Sequence, residues 1–333
     1  MSFKISVIGC GNHSSLVHGP SYARYVQEHP DTVLAACCDL DESKAKAYRE
    51  KFGFQKHYTD MRRMLQAEQP DAVCIVVPEH AICPTSIAVM EQGFHVLLEK
   101  PPGLTPDDTK RMIRTAEKSG VINQVAFNRR YHPMLSALKT MMAQQTDMPL
   151  QTLFYDFFRF GRTEPSFYTT AIHGIDTAKY LIGSDYKEVS FAYQDLPCAG
   201  PNVMNILLSC TFENGVIANL HFCPISGAVV ERIMVNARDH TFFLRMPIWN
   251  GNDMPGEIQH MEKAKLVSSL SGLDVNPCQD MYVTDGFYAE NKAFFDTVRA
   301  GTKSANDIRS ALQSVEIADA IRRREAVWKR ENL

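Results

Sequence analysis

The stretch Phe3-Lys4-Ile5-Ser6-Val7-Ile8-Gly9-Cys10-Gly11 decides the fold. A short run with the character of a buried strand passes directly into two glycines one residue apart. Glycines at such a point allow a tight turn and let backbone N–H groups approach a pyrophosphate at the start of the next helix. The third glycine of the dinucleotide fingerprint would fall at position 14, which is Ser14, and the loop from Asn12 to Gly19 is about one residue longer than usual. Taken alone, the pattern reads equally as an ordinary strand-to-turn pair of glycines.

The surroundings favour the dinucleotide reading. Val33–Cys38 is a second apolar strand and it runs into Asp39. A carboxylate there accepts hydrogen bonds from the ribose hydroxyls of NAD and repels a 2′-phosphate. The following Leu40, Asp41 and Glu42 offer no arginine, so NAD(H) is expected rather than NADP(H). Asp39 also reads as a helix N-cap, although Asp41 is better placed for that. Helical patterns over Glu42–Phe52, Met61–Glu68, Thr85–Gln92 and Thr105–Ser119 alternate with strands at Ala72–Val77, Phe94–Leu98 and Val121–Phe127. Residues 20–29 form a helix with Pro20 at its start. Strand–helix alternation of this kind gives a parallel sheet covered by helices on both faces.

Beyond this region the rhythm changes. Thr152–Phe160, Glu188–Gln194, Met204–Phe212, Val216–Phe222, Val229–Ala237 and Thr241–Met246 are strand-like, and Asn214-Gly215 marks a hairpin. Tyr168–Ile182 interrupts them as a helix, and helices over Phe287–Ala300 and Ile308–Lys329 close the chain. The expectation is an α/β protein with two domains: residues 1–125 form an N-terminal Rossmann fold, and residues 126–333 an α+β domain with a large, mostly antiparallel open-faced sheet. The last helix is expected to pack back on the first domain.

Composition narrows the function classes. At 333 residues the chain is too long for one ordinary core. A net charge of -3 with scattered positive charges argues against a nucleic-acid surface, and no apolar run has membrane-spanning length. The nine cysteines form no CxxC pair, so no metal site is expected, and a reducing cytoplasm suits them.

Residues 71–101 read DAVCIVVPEHAICPTSIAVMEQGFHVLLEKP. Together with the Gly9–Gly11 turn and Asp39, this stretch resembles the Gfo/Idh/MocA oxidoreductases, the family of glucose–fructose oxidoreductase and inositol dehydrogenase. Glu99-Lys100-Pro101 is its most characteristic piece, and Val125–Pro133 (VAFNRRYHP) and His173-Gly174-Ile175-Asp176 continue it in order.

The resemblance implies hydride exchange between NAD(H) and a secondary alcohol of a sugar, inositol or related polyol. It puts Lys100 and His173 in charge of the hydroxyl proton. Lys100 also has a reading of its own: just past a strand end in a parallel sheet, a base near the substrate oxygen assists proton loss. Cofactor contacts are expected from Gly9, Gly11, Asn12, His13, Asp39, Pro78, Glu99 and Lys100. Substrate contacts are expected from Asp176, Tyr168, Arg159 and Arg162. The two arginines read either as a grip on an anionic group or as surface arginines at a strand end. The resemblance further implies a homodimer or homotetramer through the C-terminal sheet, with Phe154, Phe158, Phe160 and Phe222 as apolar surface.

Two positions depart from the family's pattern. Thr169 stands where an aspartate is usual, four residues before His173, and Ile82 stands where a histidine is usual, with His80 shifted by two. Two other function classes therefore stay open: a dinucleotide-binding sensor without activity, and a redox-neutral lyase or hydrolase with transient hydride transfer.

Overall fold

The computed structural model describes residues 2–145 and 149–330. They fall into two compact units. One ends at Asn128 and takes back Gly286–Val315; the other comprises Arg129–Asp285 and the chain after Val315.

In the first unit, β1 (Phe3–Ile8), β2 (Thr32–Cys38), β3 (Lys56–Tyr58), β4 (Ala72–Ile75), β5 (His95–Glu99) and β6 (Asn123–Ala126) pair in parallel in the order β3-β2-β1-β4-β5-β6. The order reverses between β1 and β4. At such a switch point, beyond the carboxyl ends of the strands, open α/β sheets take their ligands. The helices between strands begin and end on local chemistry. Asp41 caps Glu42–Phe52 by accepting from the amides of Ser43 and Lys44, and Gly53 at φ 81° ends it. Thr105 caps Pro106–Ser119, and Gly120 closes it in the left-handed region.

Two boundaries differ from the sequence expectation. The helix expected over Thr85–Gln92 begins six residues earlier and spans Glu79–Met90, with Pro84 inside it. Burial of Ile82, Cys83, Val89 and Met90 holds the segment despite the hydrogen bond that proline removes. The long glycine loop is not a loop either. The chain is helical from Asn12, passes through a π turn over Ser14–His18 and continues as Gly19–Glu28.

The second unit is built on β7 (Leu150–Phe158), β8 (Tyr186–Asp195), β9 (Met204–Phe212), β10 (Ile217–Cys223), β11 (Val230–Ala237), β12 (His240–Met246), β13 (Glu257–Glu262), β14 (Lys265–Ser271) and β15 (Val327–Lys329). Among the described residues they form one sheet, in the order β14-β13-β12-β11-β7-β10-β9-β8-β15, antiparallel except for the β7–β10 pair. β9 alternates strictly, burying Met204, Ile206, Leu208, Cys210 and Phe212. That face forms one core with Leu135, Leu138, Ile175 and Ala178 of the helices Pro133–Ala143 and Tyr168–Ile182.

Gly174 shows how closely the second helix lies on the sheet. A Cβ there would stand 2.6 Å from Cε1 of Phe222. Phe222 is thus fully buried beside Phe157 on the inner face, and it does not belong with the outer aromatics as the sequence suggested. Phe154 and Phe158 do lie on the opposite face from Tyr155 and Phe157.

β13 and β14 escape sequence reading. Their turn, Lys263-Ala264, has φ values of 47° and 63° without a glycine or asparagine to signal it. The last helix is also shorter than expected, Ile308–Arg322, because Trp328 joins the core from β15, which pairs with β8.

Candidate active site

The cofactor half lies wholly in the first unit. Gly9 leaves β1 at φ 102°, and a Cβ on it would stand 2.0 Å from the carbonyl oxygen of Val76. Only glycine satisfies both conditions. The amide of Cys10 donates to Asp39 Oδ2 at 2.8 Å and the amide of Asp41 to Oδ1 at 3.0 Å, so the carboxylate at the end of β2 clamps the turn. A Cβ on Gly11 would meet no heavy atom within 4 Å. The helix starts at the next residue, Asn12, which is exposed, and the first amides of a helix lack intrahelical acceptors and attract an anion. Glycine geometry, helix N-terminus and half-buried Asp39 together fit a dinucleotide.

Pro78 stands at the start of the helix that follows β4. Glu99 ends β5, and Lys100, half-buried, follows it with a cis bond to Pro101. Glu99 Oε1 meets His13 Nε2 at 3.1 Å and His18 Nε2 at 2.8 Å, while Oε2 accepts the Lys100 amide at 3.0 Å. Burial acts to raise the carboxyl pKa, but the two imidazoles outweigh it and hold Glu99 well below the ordinary carboxylate range. The glycine turn and the Glu-Lys-Pro triplet are therefore linked directly. Ile82 is 1% exposed and packs in the core, whereas His80 is exposed.

The second unit carries the other named residues. His173 is buried on the helix Tyr168–Ile182, next to the close approach at Gly174. Asp176, one turn on, is fully buried and held bidentately by Arg130, with Nε at 2.8 Å from Oδ2 and Nη2 at 2.6 Å from Oδ1. Thr169 donates to the carbonyl of Ser166 at 2.9 Å and acts as a turn-closing hydroxyl. Arg162 is half-buried, with Nη2 3.0 Å from Thr170 Oγ1 and Nε 2.7 Å from Glu164. Tyr168 is half-buried at the first position of the helix.

Arg159 is 4% exposed and, with Arg129 and Tyr155, surrounds the fully buried Glu231. Burial works against ionisation of Glu231, but Arg129 and Arg159 prevail and bring its pKa down to about 2. Nearby Asp285 is pushed up to about 6 by burial, partly offset by the Trp249 amide and Arg129.

Several partners were missed by sequence reading, Glu231 beside Arg159 among them. Arg130 lay inside the quoted stretch 125–133, so the signal was present. His18 and Asn291 gave none, since neither a five-residue spacing nor a distant helix marks a contact to Glu99 or to its histidine.

Known proteins match the chain in two parts. Residues 3–127 match the family model described as the oxidoreductase family, NAD-binding Rossmann fold, and residues 161–326 match the C-terminal alpha/beta domain of the same oxidoreductases.

The chain belongs to the Gfo/Idh/MocA family.

NAD is accordingly the cofactor for which its Rossmann domain is built. D-glucoside 3-dehydrogenase of Escherichia coli K12 is 34% identical over 128 residues, covering 38% of this chain and 35% of that protein. Myo-inositol 2-dehydrogenase of Thermotoga maritima is 27% identical over 199 residues, covering 56% of this chain and 57% of that protein. The chain thus spans about a third to just over half of the length of these two relatives. Among solved structures, levoglucosan dehydrogenase in complex with NADH and levoglucosan superposes with a TM-score of 0.85 at 18% identity, with both chains fully covered. An NAD-binding oxidoreductase from Klebsiella pneumoniae gives 0.82 at 18%, again over both whole chains. At that identity the likeness is one of fold. Among the described residues no helix is long and apolar enough to cross a membrane.

Proposed function

We propose that the protein is an NAD(H)-dependent dehydrogenase or reductase acting on a secondary alcohol of a sugar, inositol or related polyol. The observation that carries this reading is the link between the Gly9–Gly11 turn and the Glu99-Lys100-Pro101 triplet through His13, His18 and Glu99. It keeps Lys100 at the carboxyl end of the sheet that offers the dinucleotide turn. The relatives named as dehydrogenases of a D-glucoside and of myo-inositol support the substrate class.

Bound nicotinamide supplies the hydride acceptor at its C4. In this reading the backbone at Gly9, Gly11, Asn12 and His13 holds the pyrophosphate, Asp39 accepts from the ribose hydroxyls, and Pro78 and Glu99 flank the cofactor. Lys100 Nζ takes the proton from the substrate hydroxyl as the carbon gives up hydride, with His173 as the second proton-handling group. Arg162 and Tyr168 contact the substrate. Arg159 and Asp176 serve it indirectly, since Glu231 and Arg130 already hold them.

The working form is a homodimer or homotetramer through the outer face of the large sheet, where Leu207, Ile217 and Phe243 are exposed. Cysteines that are all free thiols among the described residues suit the cytoplasm.

The test is Lys100→Met, assayed with NAD and a panel of polyols and sugars. Turnover falls roughly a thousandfold, within the range of general acid–base catalysis, while NADH binding persists. Unchanged turnover contradicts the proposal, and substrate consumption without net NADH points to redox-neutral chemistry.

A further inference from the structure

The extra residue in the glycine turn has a structural consequence. The chain absorbs it in the π turn Ser14–His18, where the amide of Gly19 donates to the carbonyl of Ser14, five residues back. Pro20 follows one residue later and has no amide to donate. In an α-helix, residues five apart point about 140° away from each other. Widening the turn to five-residue hydrogen bonding brings them to one side. His13 and His18 are five apart, their ring centroids lie 5.5 Å from each other, and both Nε2 atoms reach the same oxygen of Glu99.

We propose that His13 Nε2, His18 Nε2 and Glu99 Oε1 form a binding site for a divalent transition metal of the zinc class. These three atoms lie within 4.8 Å of one another, and no other group of histidine, cysteine and acidic side chains among the described residues is as compact. A tetrahedral metal with bonds of about 2.0–2.1 Å holds its ligand atoms roughly 3.3 Å apart. The carboxylate oxygen already stands 3.1 Å from one imidazole and 2.8 Å from the other. Two imidazoles and one carboxylate, without thiolate, select zinc, cobalt or nickel over calcium or magnesium. Three protein ligands leave a fourth position open.

The outer partners suit a metal as well. His18 Nδ1 lies 3.1 Å from Asn291 Nδ2 and 3.4 Å from Asn291 Oδ1. Asn291 can therefore donate to that nitrogen when Nε2 bears the proton, and accept from it when Nε2 offers its lone pair to a metal. Its Nδ2 donates meanwhile to the carbonyl of Phe287 at 2.7 Å and keeps the amide in place. The Lys100 amide fixes the second oxygen of Glu99. A ligating histidine anchored through its other nitrogen, and a ligating carboxylate anchored through its other oxygen, are what a metal site requires. Entry is from the side of His13, whose side chain is 41% exposed against 1% for His18 and 9% for Glu99.

The test uses the tag-free full chain, stripped with a chelator and titrated with Co2+. The expected result is one Co2+ per chain, with the intense visible bands of a four- or five-coordinate ion, displaced by Zn2+. His13→Ala abolishes the bands, and Asn291→Ala weakens binding roughly tenfold. His13 is half-exposed, so the folding of its variant is checked by circular dichroism and melting of the metal-free protein. Absence of visible bands in the wild type overturns the proposal, and so do bands that survive His13→Ala in a folded protein.

Discussion

The glycine turn and the buried polar cluster of the second unit solve the same problem, fixing polar atoms in place, by opposite means. In the turn the main chain does the fixing. Gly9 sits at φ 102° with no room for a Cβ, and Asp39 ties the amides of Cys10 and Asp41. In the second unit side chains far apart in sequence fix one another: Arg129 and Arg159 with Glu231, and Arg130 with Asp176. A site made from backbone is encoded within a few residues, so a motif reveals it. A site made from ion pairs is encoded in partners about fifty to a hundred positions apart, and each partner looks ordinary in its own stretch.

The largest effect that would break this contrast is expected at Glu231. Glu231→Gln leaves Arg129 and Arg159 buried without their common carboxylate, and urea unfolding should show a loss of about 3–5 kcal/mol. A loss below about 1 kcal/mol, the range of exposed pairs, would mean that the cluster does not fix the unit.

Next comes Asp285. Burial raises its pKa to about 6, so the folded state binds its proton more tightly than the unfolded chain, and this contribution to stability fades as pH rises from about 4 through 6. His132 works the other way. Burial lowers it to about 4, despite the acceptor carbonyl of Pro247, so its contribution is full above pH 6.5 and is lost as pH falls toward 4. Each shift is worth about 3 kcal/mol, and across pH 4–6 the two nearly cancel. Asp285→Asn should therefore unmask a stability that rises with pH over this window, and raise stability at pH 7 by up to about 3 kcal/mol. An unchanged, flat profile would remove Asp285 from the account.

On the other side of the comparison, Gly9→Ala should cost about 2 kcal/mol through its left-handed backbone and its collision with Val76. NADH binding should weaken with it in a titration followed by fluorescence. Unaltered binding would show that the turn does not depend on its backbone shape. The last effect, read chiefly in NADH affinity, is expected at Asp39. Asp39→Asn loses a charged acceptor, worth about 1.5–3 kcal/mol in NADH affinity, and since its single oxygen can receive only one of the amides of Cys10 and Asp41, the melting temperature falls as well.

Much of the fold was legible because caps and periodicity are local. Glu42–Phe52 with Asp41 and Gly53, Tyr168–Ile182, and the Asn214-Gly215 hairpin were each readable from a handful of residues. The failures are equally local in cause. The turn at Lys263-Ala264 carries no turn residue, Pro84 disguised the first half of a helix, and Trp328 draws the chain end into a strand through packing that periodicity does not register. At the candidate site, the expectations for Gly9, Gly11, Asp39, Lys100 and His173 came from motifs. The joining of His13 and His18 on Glu99 did not, because it exists only through the π turn. Arg159 read either as a grip on an anionic group or as a surface arginine at a strand end, and only the strand pairing of β7 with β11 brings it to Glu231.

The most direct measurement is thermal melting of the protein alone, with NADH and with NADPH. A ligand bound only to the folded state at a hundred times its Kd adds about 2.7 kcal/mol, which for a chain of this size raises Tm by several degrees. A clear rise with NADH and little with NADPH is the predicted result, since Asp39 repels the 2′-phosphate. No rise with either, or a larger rise with NADPH, would contradict the assignment of the Gly9–Gly11 turn and Asp39 to NAD and, with it, the proposed dehydrogenase.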